Sequence, residues 1–172
     1  NPAATAAQAN ADSYMTRTVT VRGNDTTKQI SYYTGSEAGE ESIAWSQEYN
    51  FDGSKTKTVT VYNNLNGVLQ DTTVYTDKLG AALTVRPTTD LANPAKFAKK
   101  SFTDYEGLVK GDEKANYTTN YKPDGLTTET KTTYYYFLKG DPLATPAVPD
   151  TPAPTATHAT ANSHTTTNHT ER

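Results

Sequence analysis

The chain has 172 residues, enough for one domain with tails, and its net charge is only −3. Its mean hydropathy is low, at −0.76, so a core must rely on twelve tyrosines and on threonine, which makes up about a fifth of the residues. Such side chains fit a pleated sheet, which predicts an all-β fold. The mixed charges offer no basic stripe for nucleic acid, and no run reaches the roughly 20 apolar residues of a membrane span. The absence of cysteine excludes disulfides and thiolate metal sites.

Composition divides the chain into three parts. Residues 1–13 are an alanine-rich arm without periodicity, which we expect to be extended. Residues 14–139 hold nearly all the aromatic residues and are predicted to form a sandwich-like domain of antiparallel hairpin meanders. Residues 140–172 contain five of the nine prolines and all three histidines, which predicts an extended tail similar to O-glycosylated stalks. Because the chain begins at Asn1 without a methionine, we expect a processed, secreted protein.

A hairpin motif occurs twice. The run from Tyr49 to Tyr62 (YNFDGSKTKTVTVY) shares its Tyr, Asp-Gly and three alternating Thr with the run from Tyr121 to Tyr134. Asp-Gly between alternating runs predicts a two-residue turn. That turn would pair Tyr49 with Thr56, Glu48 with Lys57, Gln47 with Thr58, Trp45 with Thr60, Tyr121 with Thr128 and Tyr117 with Thr132. The result is a predicted aromatic-threonine face that consists of Trp45, Tyr49, Thr56, Thr58, Thr60, Tyr117 and Tyr121.

Other signals extend this pattern. A turn at Asn66-Gly67 predicts a three-stranded meander over residues 43–76, with Val59 opposite Val74 and Thr58 opposite Tyr75. A turn near Asn24-Asp25 would place Val19 opposite Ile30. Asn93 followed by Pro94 predicts a short helix over residues 94–101. A weaker third copy of the threonine strand lies at Asp12, Thr16, Thr18, Val19, Thr20 and Val21, and it lacks a preceding aromatic strand.

Chemistry-bearing residues are sparse. Residues 1–139 contain neither histidine nor cysteine, so no Ser-His-Asp or Cys-His arrangement can form there. The tail histidines match no metal-site spacing, and carboxylates such as Asp104 with Glu106 are typical of a solubilising surface. We therefore expect no catalytic residue, no metal and no cofactor. The alternating threonines also occur in ice-binding solenoids, but those need a short, constant repeat length.

Glycosylation signals are present. Asn24, Asn116 and Asn168 each begin an Asn-x-Thr sequon. The Pro/Thr-rich tail adds O-glycosylation candidates at Thr151, Thr155 and Thr157. Together they point to a glycosylated extracellular protein, although a threonine-rich chain also generates sequons by accident.

The Tyr-x-x-Asp-Gly-x-x-Thr unit resembles the YD repeats of Rhs-type shell proteins over about forty residues, although here the Gly follows the Asp directly. As a whole the chain is similar in style to subunits of prokaryotic extracellular fibres and adhesin stalks. That resemblance implies a structural subunit on the cell surface. Because the first threonine strand lacks its own aromatic partner strand, we expect an arm or tail of one subunit to complete the sheet of the next, which gives a homo-oligomeric helical filament. The alternative is a monomeric adhesin or carbohydrate-binding domain, with Trp45, Tyr49 and Tyr117 stacking on sugars.

Overall fold

The structure, a computed structural model, describes residues 6–137 and 164–171, with residues 137 and 164–171 described by their backbone alone. Two 3-10 turns, Ala6–Gln8 and Thr89–Ala92, are the only helical elements in these ranges. The rest of the regular structure is made of strands: β1 Arg17–Val21, β2 Thr27–Thr34, β3 Ser42–Tyr49, β4 Thr56–Leu65, β5 Val68–Asp77, β6 Phe97–Glu106, β7 Lys114–Tyr121, β8 Thr128–Phe137 and β9 His164–Glu171.

The strands form one antiparallel sheet whose order follows the chain from β1 to β9. The all-β class and the meander are therefore confirmed, including the three-stranded unit formed by β3, β4 and β5. A single bonded sheet replaces the two sheets that a sandwich-like arrangement would have. The layer that covers its centre is the long connection between β5 and β6, residues 78–96, through Leu83 and Leu91.

The predicted turn positions are confirmed, but Asp52-Gly53 is not the predicted two-residue turn, because the Asn50 N–H bonds to the Lys55 carbonyl and residues 51–54 form the loop. Most of the predicted register is wrong by one residue. Tyr49 does lie opposite Thr56, and Val19 opposite Ile30. Lys57, however, is an extra residue in β4, because Glu48 lies opposite Thr58. The corrected partners are Val59 for Gln47, Val61 for Trp45, Thr130 for Asn120 and Thr133 for Tyr117, while Tyr121 keeps Thr128.

A second bulge shifts the pairing of β4 with β5. The Asn66-Gly67 turn has positive φ at both residues and joins Leu65 directly to Val68, as predicted. Gln70 is then an extra residue between Leu69 and Asp71. The partner of Val59 is therefore Tyr75 instead of Val74, and the partner of Thr58 is Thr76 instead of Tyr75.

The repeat is larger than the hairpin seen in the sequence. The bounds of β3 and β4 recur, shifted by 72 residues, as those of β7 and β8. Bulges recur at the same shift, since the extra residues are Lys28, Ala44 and Lys57 in one half and Lys100, Asn116 and Glu129 in the other. Strands β1–β4 and β5–β8 are thus two copies of one four-stranded unit, called unit 1 and unit 2 below.

The first strands of the units also correspond. Val19 in β1 lies opposite Ile30, as Thr73 in β5 lies opposite Phe102. The weak third copy predicted at residues 12–21 is therefore wrong as a threonine-strand equivalent, since β1 matches β5 and not β4. The units differ mainly in their first connection, which is residues 22–26 in unit 1 and residues 78–96 in unit 2.

The helix predicted over residues 94–101 is wrong. Asn93 does start a turn, since its side-chain Oδ1 accepts the N–H of Ala95 at 3.0 Å and its carbonyl accepts the N–H of Phe97 at 2.9 Å. The chain then enters β6 instead, because Phe97 is buried in the core and lies opposite Asp77. Sheet pairing and burial outweigh the local helix signal.

The arm and the tail are only partly described. Within the arm, residues 6–13 are exposed and contain the 3-10 turn and a turn at Asn10–Ser13, so this part is not simply extended. The tail prediction falls largely on residues 140–163 and 172, outside the described residues. Residues 164–171 form β9, which pairs with β8. No helix in the described part of the chain is long and apolar enough to cross a bilayer.

Candidate functional site

The predicted aromatic-threonine face is divided between the two sides of the sheet. Trp45 lies opposite Val61 and shares its side with Tyr49 and Thr56, whereas Thr58 and Thr60 point to the other side. We call the first side the covered face, defined by Tyr32, Trp45, Gln47, Val59, Val61, Thr73, Tyr75 and Phe97. The second is the hydroxyl face, defined by Ser31, Ser46, Thr58, Thr60, Val74, Ser101, Thr103 and Thr118.

The covered face of unit 1 is a closed core. Trp45 is 4% exposed and stacks on Tyr32 with ring centroids 4.1 Å apart. Tyr49 is 8% exposed, and burial raises the pKa of its hydroxyl. The sugar-stacking role considered for Trp45 and Tyr49 is therefore wrong, because neither ring is accessible.

Gln47 fastens residues 78–96 onto this core. Its side chain is 1% exposed, and its Oε1 accepts the Leu83 N–H at 2.9 Å while its Nε2 donates to the Leu83 carbonyl at 3.0 Å. Nε2 also donates to the Tyr32 hydroxyl at 3.2 Å. The amide thus forms the same two bonds with Leu83 that a neighbouring strand would form, which satisfies a buried polar group in full.

Unit 2 carries polar residues at the equivalent positions. Tyr117 is half-buried and contacts Phe102, and the Lys131 ammonium lies 4.5 Å above the Tyr117 ring. The Lys99 ammonium lies 5.2 Å from the Tyr121 ring in the same way. Two tyrosines and two lysines therefore form a partly exposed surface, and cation–π contacts occupy ring faces that a sugar would need.

The hydroxyl face is a network of short polar side chains. The Thr103 and Thr118 hydroxyls are 2.8 Å apart, and Thr118 contacts the Tyr134 hydroxyl at 3.2 Å. Thr58 donates to Glu48 at 3.1 Å. Of the threonines predicted as part of a site, Thr58 bonds to its cross-strand neighbour Glu48, and the Thr56 hydroxyl lies 2.6 Å from the Asp77 carboxylate and 2.9 Å from the Ala81 carbonyl, so both bond within the sheet and its connection.

Strand β1 is the edge of the sheet, and its valines are unusually exposed. Val19 is 50% exposed, whereas its unit 2 equivalent Thr73 is 7% exposed between β4 and β6. The Thr16 carbonyl and the Arg22 N–H both bond to the β2 side. Because backbone groups alternate along a strand, the N–H of Val19 points to the open side.

The sequons differ in accessibility. Asn24 lies exposed at the tip of the β1–β2 connection, where its Oδ1 accepts the Thr26 hydroxyl at 2.7 Å. Asn116 is half-buried in β7 and donates to Asp104 at 2.9 Å. Asn168 lies in β9, whose side chains are not described, and Thr151, Thr155 and Thr157 lie outside the described residues.

Two glutamates that were not predicted from the sequence each bond the loop between the second and third strands of a unit to the beginning of that unit. Glu41 accepts the N–H groups of Met15 at 2.8 Å and Gly39 at 3.0 Å, and the Met15 bond is the main reason why its pKa is lowered. Glu113 accepts those of Leu69 at 3.0 Å and Gly111 at 2.7 Å. Burial raises the pKa of Glu113, but these backbone bonds outweigh it and the pKa is lowered. In the sequence, these two glutamates are marked by a run that occurs twice, Gly-x-x-x-Gly-acidic-Glu, at residues 35–41 and 107–113.

Several carboxylates of the described residues, such as those of Asp77, Glu113 and Asp124, accept hydrogen bonds in turns and loops. Asp124 accepts the Thr127 hydroxyl and the backbone N–H groups of Leu126 and Thr127, which lowers its pKa to about 2. Among the described side chains, those of residues 6–136, no group of three or more His, Cys, Asp or Glu is placed to hold a metal ion. The described surface includes the edge strand β1 with its exposed valines and a mixed aromatic surface on unit 2. Comparisons with protein-family models, with curated proteins and with solved structures found no match to the chain.

Proposed function

We propose that the chain is a secreted, glycosylated structural subunit of an extracellular filament, in which copies join by β-strand addition at their sheet edges. The observation that carries this proposal is the edge strand β1, where Val19 and Val21 are 50% and 52% exposed. The strand contains no proline, and Arg17 is its one charged residue. An edge without such protection is a template for another strand.

The topology favours a growing assembly over a closed pair. Strand order follows chain order, so β1 lies at one edge and the C-terminal strands at the other. A contact between these different surfaces is head-to-tail, and it propagates unless the rotation closes a ring.

Light scattering and negative-stain microscopy of the full chain over a range of concentrations test the proposal. We expect filaments from the native chain and from Val19→Thr, which keeps the outward N–H and the β propensity. Val19→Pro removes that N–H and should abolish filaments while the melting temperature of the monomer stays within a few degrees. A single species of 18.7 kDa at every concentration would rule out the filament.

Glycosylation is proposed first at Asn24, because it is exposed at a loop tip. Intact-mass measurement of protein from its native source should show added mass that Asn24→Gln removes. Unmodified mass would refute this part alone and leave the assembly proposal standing.

Carbohydrate binding is the second candidate. Of the three residues considered for it only Tyr117 remains, and Tyr121 of the same strand adds a second partly exposed ring. Its support is the partial exposure of both rings and the position of Tyr117 opposite Asp104. Glycan-array signal that Tyr117→Ala removes would favour it, whereas silence with folded protein would reject it. The lysines over both rings make it the weaker candidate.

A further inference from the structure

The junction between the two units is a strand pairing that the chain can repeat with a second copy. Within the chain, unit 1 joins unit 2 where β4 pairs with β5. Strand β8 is the unit 2 equivalent of β4, and β1 is the unit 1 equivalent of β5, as their matching bulges show. A β8 strand and a β1 strand from two copies therefore have the backbone features that already make one such junction.

We propose that β8 of one copy pairs with β1 of a second copy in the register that β4 takes with β5. In the internal junction, Thr60 lies opposite Val74 and Val61 opposite Thr73. The equivalent pairs between copies are Thr132 with Thr20, and Thr133 with Val19. This inference rests on the proposed function and names its contact, residue by residue.

The exposed valines of β1 fit this partner. The internal counterparts of Val19 and Val21 are Thr73 and Tyr75, which are 7% and 9% exposed. In the internal junction these positions lie beside β4 and Tyr75 also lies in the core under Leu83 and Leu91, so a β8 strand placed along β1 would supply the strand neighbour and shield the two valines from that side. The outward N–H of Val19 would then meet the outer side of Thr133.

Strand β9 of the same chain occupies the outer side of β8, so it competes for the same edge. Thr132 lies opposite Thr170, and Thr133 opposite His169. The pairing also repeats the β4–β5 bulge, since the register shifts between Tyr135 and Tyr136 as it does between Asn63 and Asn64. Assembly therefore requires β9 to leave β8, and β9 acts as a built-in cap.

Disulfide trapping in the full chain tests the register, and the native chain has no cysteine to interfere. Residues directly opposite in an antiparallel pair have Cα atoms about 4.5–5.5 Å apart, within the range of a disulfide. Thr20→Cys with Thr132→Cys in one chain should give a ladder of covalent multimers under oxidation. The two positions lie seven strands apart in the sheet, roughly 30 Å, so they cannot join within one chain. Val19→Cys with Thr132→Cys is the control, one residue out of register and on the opposite face.

A second pair tests the cap. Thr132→Cys with Thr170→Cys should lock β9 onto β8 within one chain, which would abolish assembly when oxidised and restore it when reduced. His169→Pro removes a backbone N–H that faces β8, so it should raise the yield of the Thr20–Thr132 ladder severalfold. An unchanged yield, or assembly by the locked protein, would overturn the competition at this edge.

The outcomes separate this inference from the proposed function. A ladder from the in-register pair and none from the control supports the inference. Filaments without that ladder would overturn the inference and leave the filament proposal standing. A ladder that stops at a closed ring, without filaments, would overturn the filament proposal and leave the proposed β8–β1 register standing. Monomers in every variant would overturn both.

Discussion

Replacing Gln47 with leucine should loosen the connection of residues 78–96 around Leu83. The substitution keeps the side-chain volume and removes three hydrogen bonds, two to the Leu83 backbone at 2.9 and 3.0 Å and one to the Tyr32 hydroxyl at 3.2 Å. A buried backbone group left without a partner costs about 1–3 kcal/mol. Because Ala82 and Thr84 on either side of Leu83 are exposed, the segment can lift towards water, which limits the total loss to about 2 kcal/mol.

Urea unfolding followed by fluorescence measures this loss. Trp45 is the single tryptophan and is buried against Tyr32, so its emission reports on this core. With a dependence on urea of about 2 kcal/mol per molar, the midpoint should fall by about 1 M. Thr119→Val, at the uncovered unit 2 equivalent of Gln47, should change stability by no more than about 0.5 kcal/mol. A Gln47→Leu protein as stable as the native chain would refute the idea that the amide holds the connection.

The variant Gln47→Glu tests the same hydrogen bonds through the direction in which its stability changes with pH. In Gln47→Glu a carboxylate would face the Leu83 carbonyl in a buried site, which raises its folded-state pKa above the ordinary value of about 4.3. A group with a raised pKa contributes most below its unfolded value, and that contribution is lost as pH rises through the folded value. Gln47→Glu should therefore approach native stability near pH 4 and fall behind it at pH 7. The reverse order would contradict the hydrogen-bond assignment.

Two further predictions concern the Asp-Gly turn of unit 2. Gly125→Ala should lower the melting temperature by several degrees, because its φ is 72° and a Cβ would lie 2.7 Å from the Lys99 nitrogen, whereas Gly23→Ala, with no atom within 4 Å, should leave it unchanged. Asp124 has its pKa lowered to about 2, so its contribution to stability is present above its unfolded pKa, about 3.9, and is lost as pH falls towards 2. Asp124→Asn should flatten that part of the acid-unfolding curve, and an NMR titration midpoint near 4 for Asp124 would contradict the assignment.

The positions of the turns could be predicted from the sequence, but the side of the sheet on which each side chain lies could not. Asp52-Gly53 was correctly placed at a hairpin tip, yet the loop closes through an N–H of Asn50 bonded to the Lys55 carbonyl and leaves Lys57 as an extra residue. One extra residue moves every later side chain to the opposite face. Alternating threonine and valine fit either face, so composition alone could not reveal the shift.

The sequence also contains the signal for a duplication of the whole four-stranded unit, but that signal is in the glycines and glutamates of the loops and not in the alternating threonines. Its clearest marks are Gly35 with Gly107 and Glu41 with Glu113, at the same spacing as the two Asp-Gly turns. At Gly35 and Gly107 an added Cβ would lie 3.1 and 3.0 Å from the backbone of the glutamate. The conformation of residues 78–96 was not predictable in this way, because that connection has no counterpart in unit 1.

That connection also explains why two copies of one unit carry such different side chains. Val59 and Val61 of unit 1 lie under residues 78–96, and their unit 2 equivalents are Lys131 and Thr133. The same backbone position is apolar where the connection covers it and polar where water reaches it, so the covering segment and not the strand geometry sets the residue type. In a head-to-tail assembly every second unit would keep this uncovered, lysine-bearing face. A continuous sheet would then carry stripes covered by residues 78–96 in alternation with uncovered basic stripes, which favours growth along the strand-pairing direction over stacking of sheets face to face.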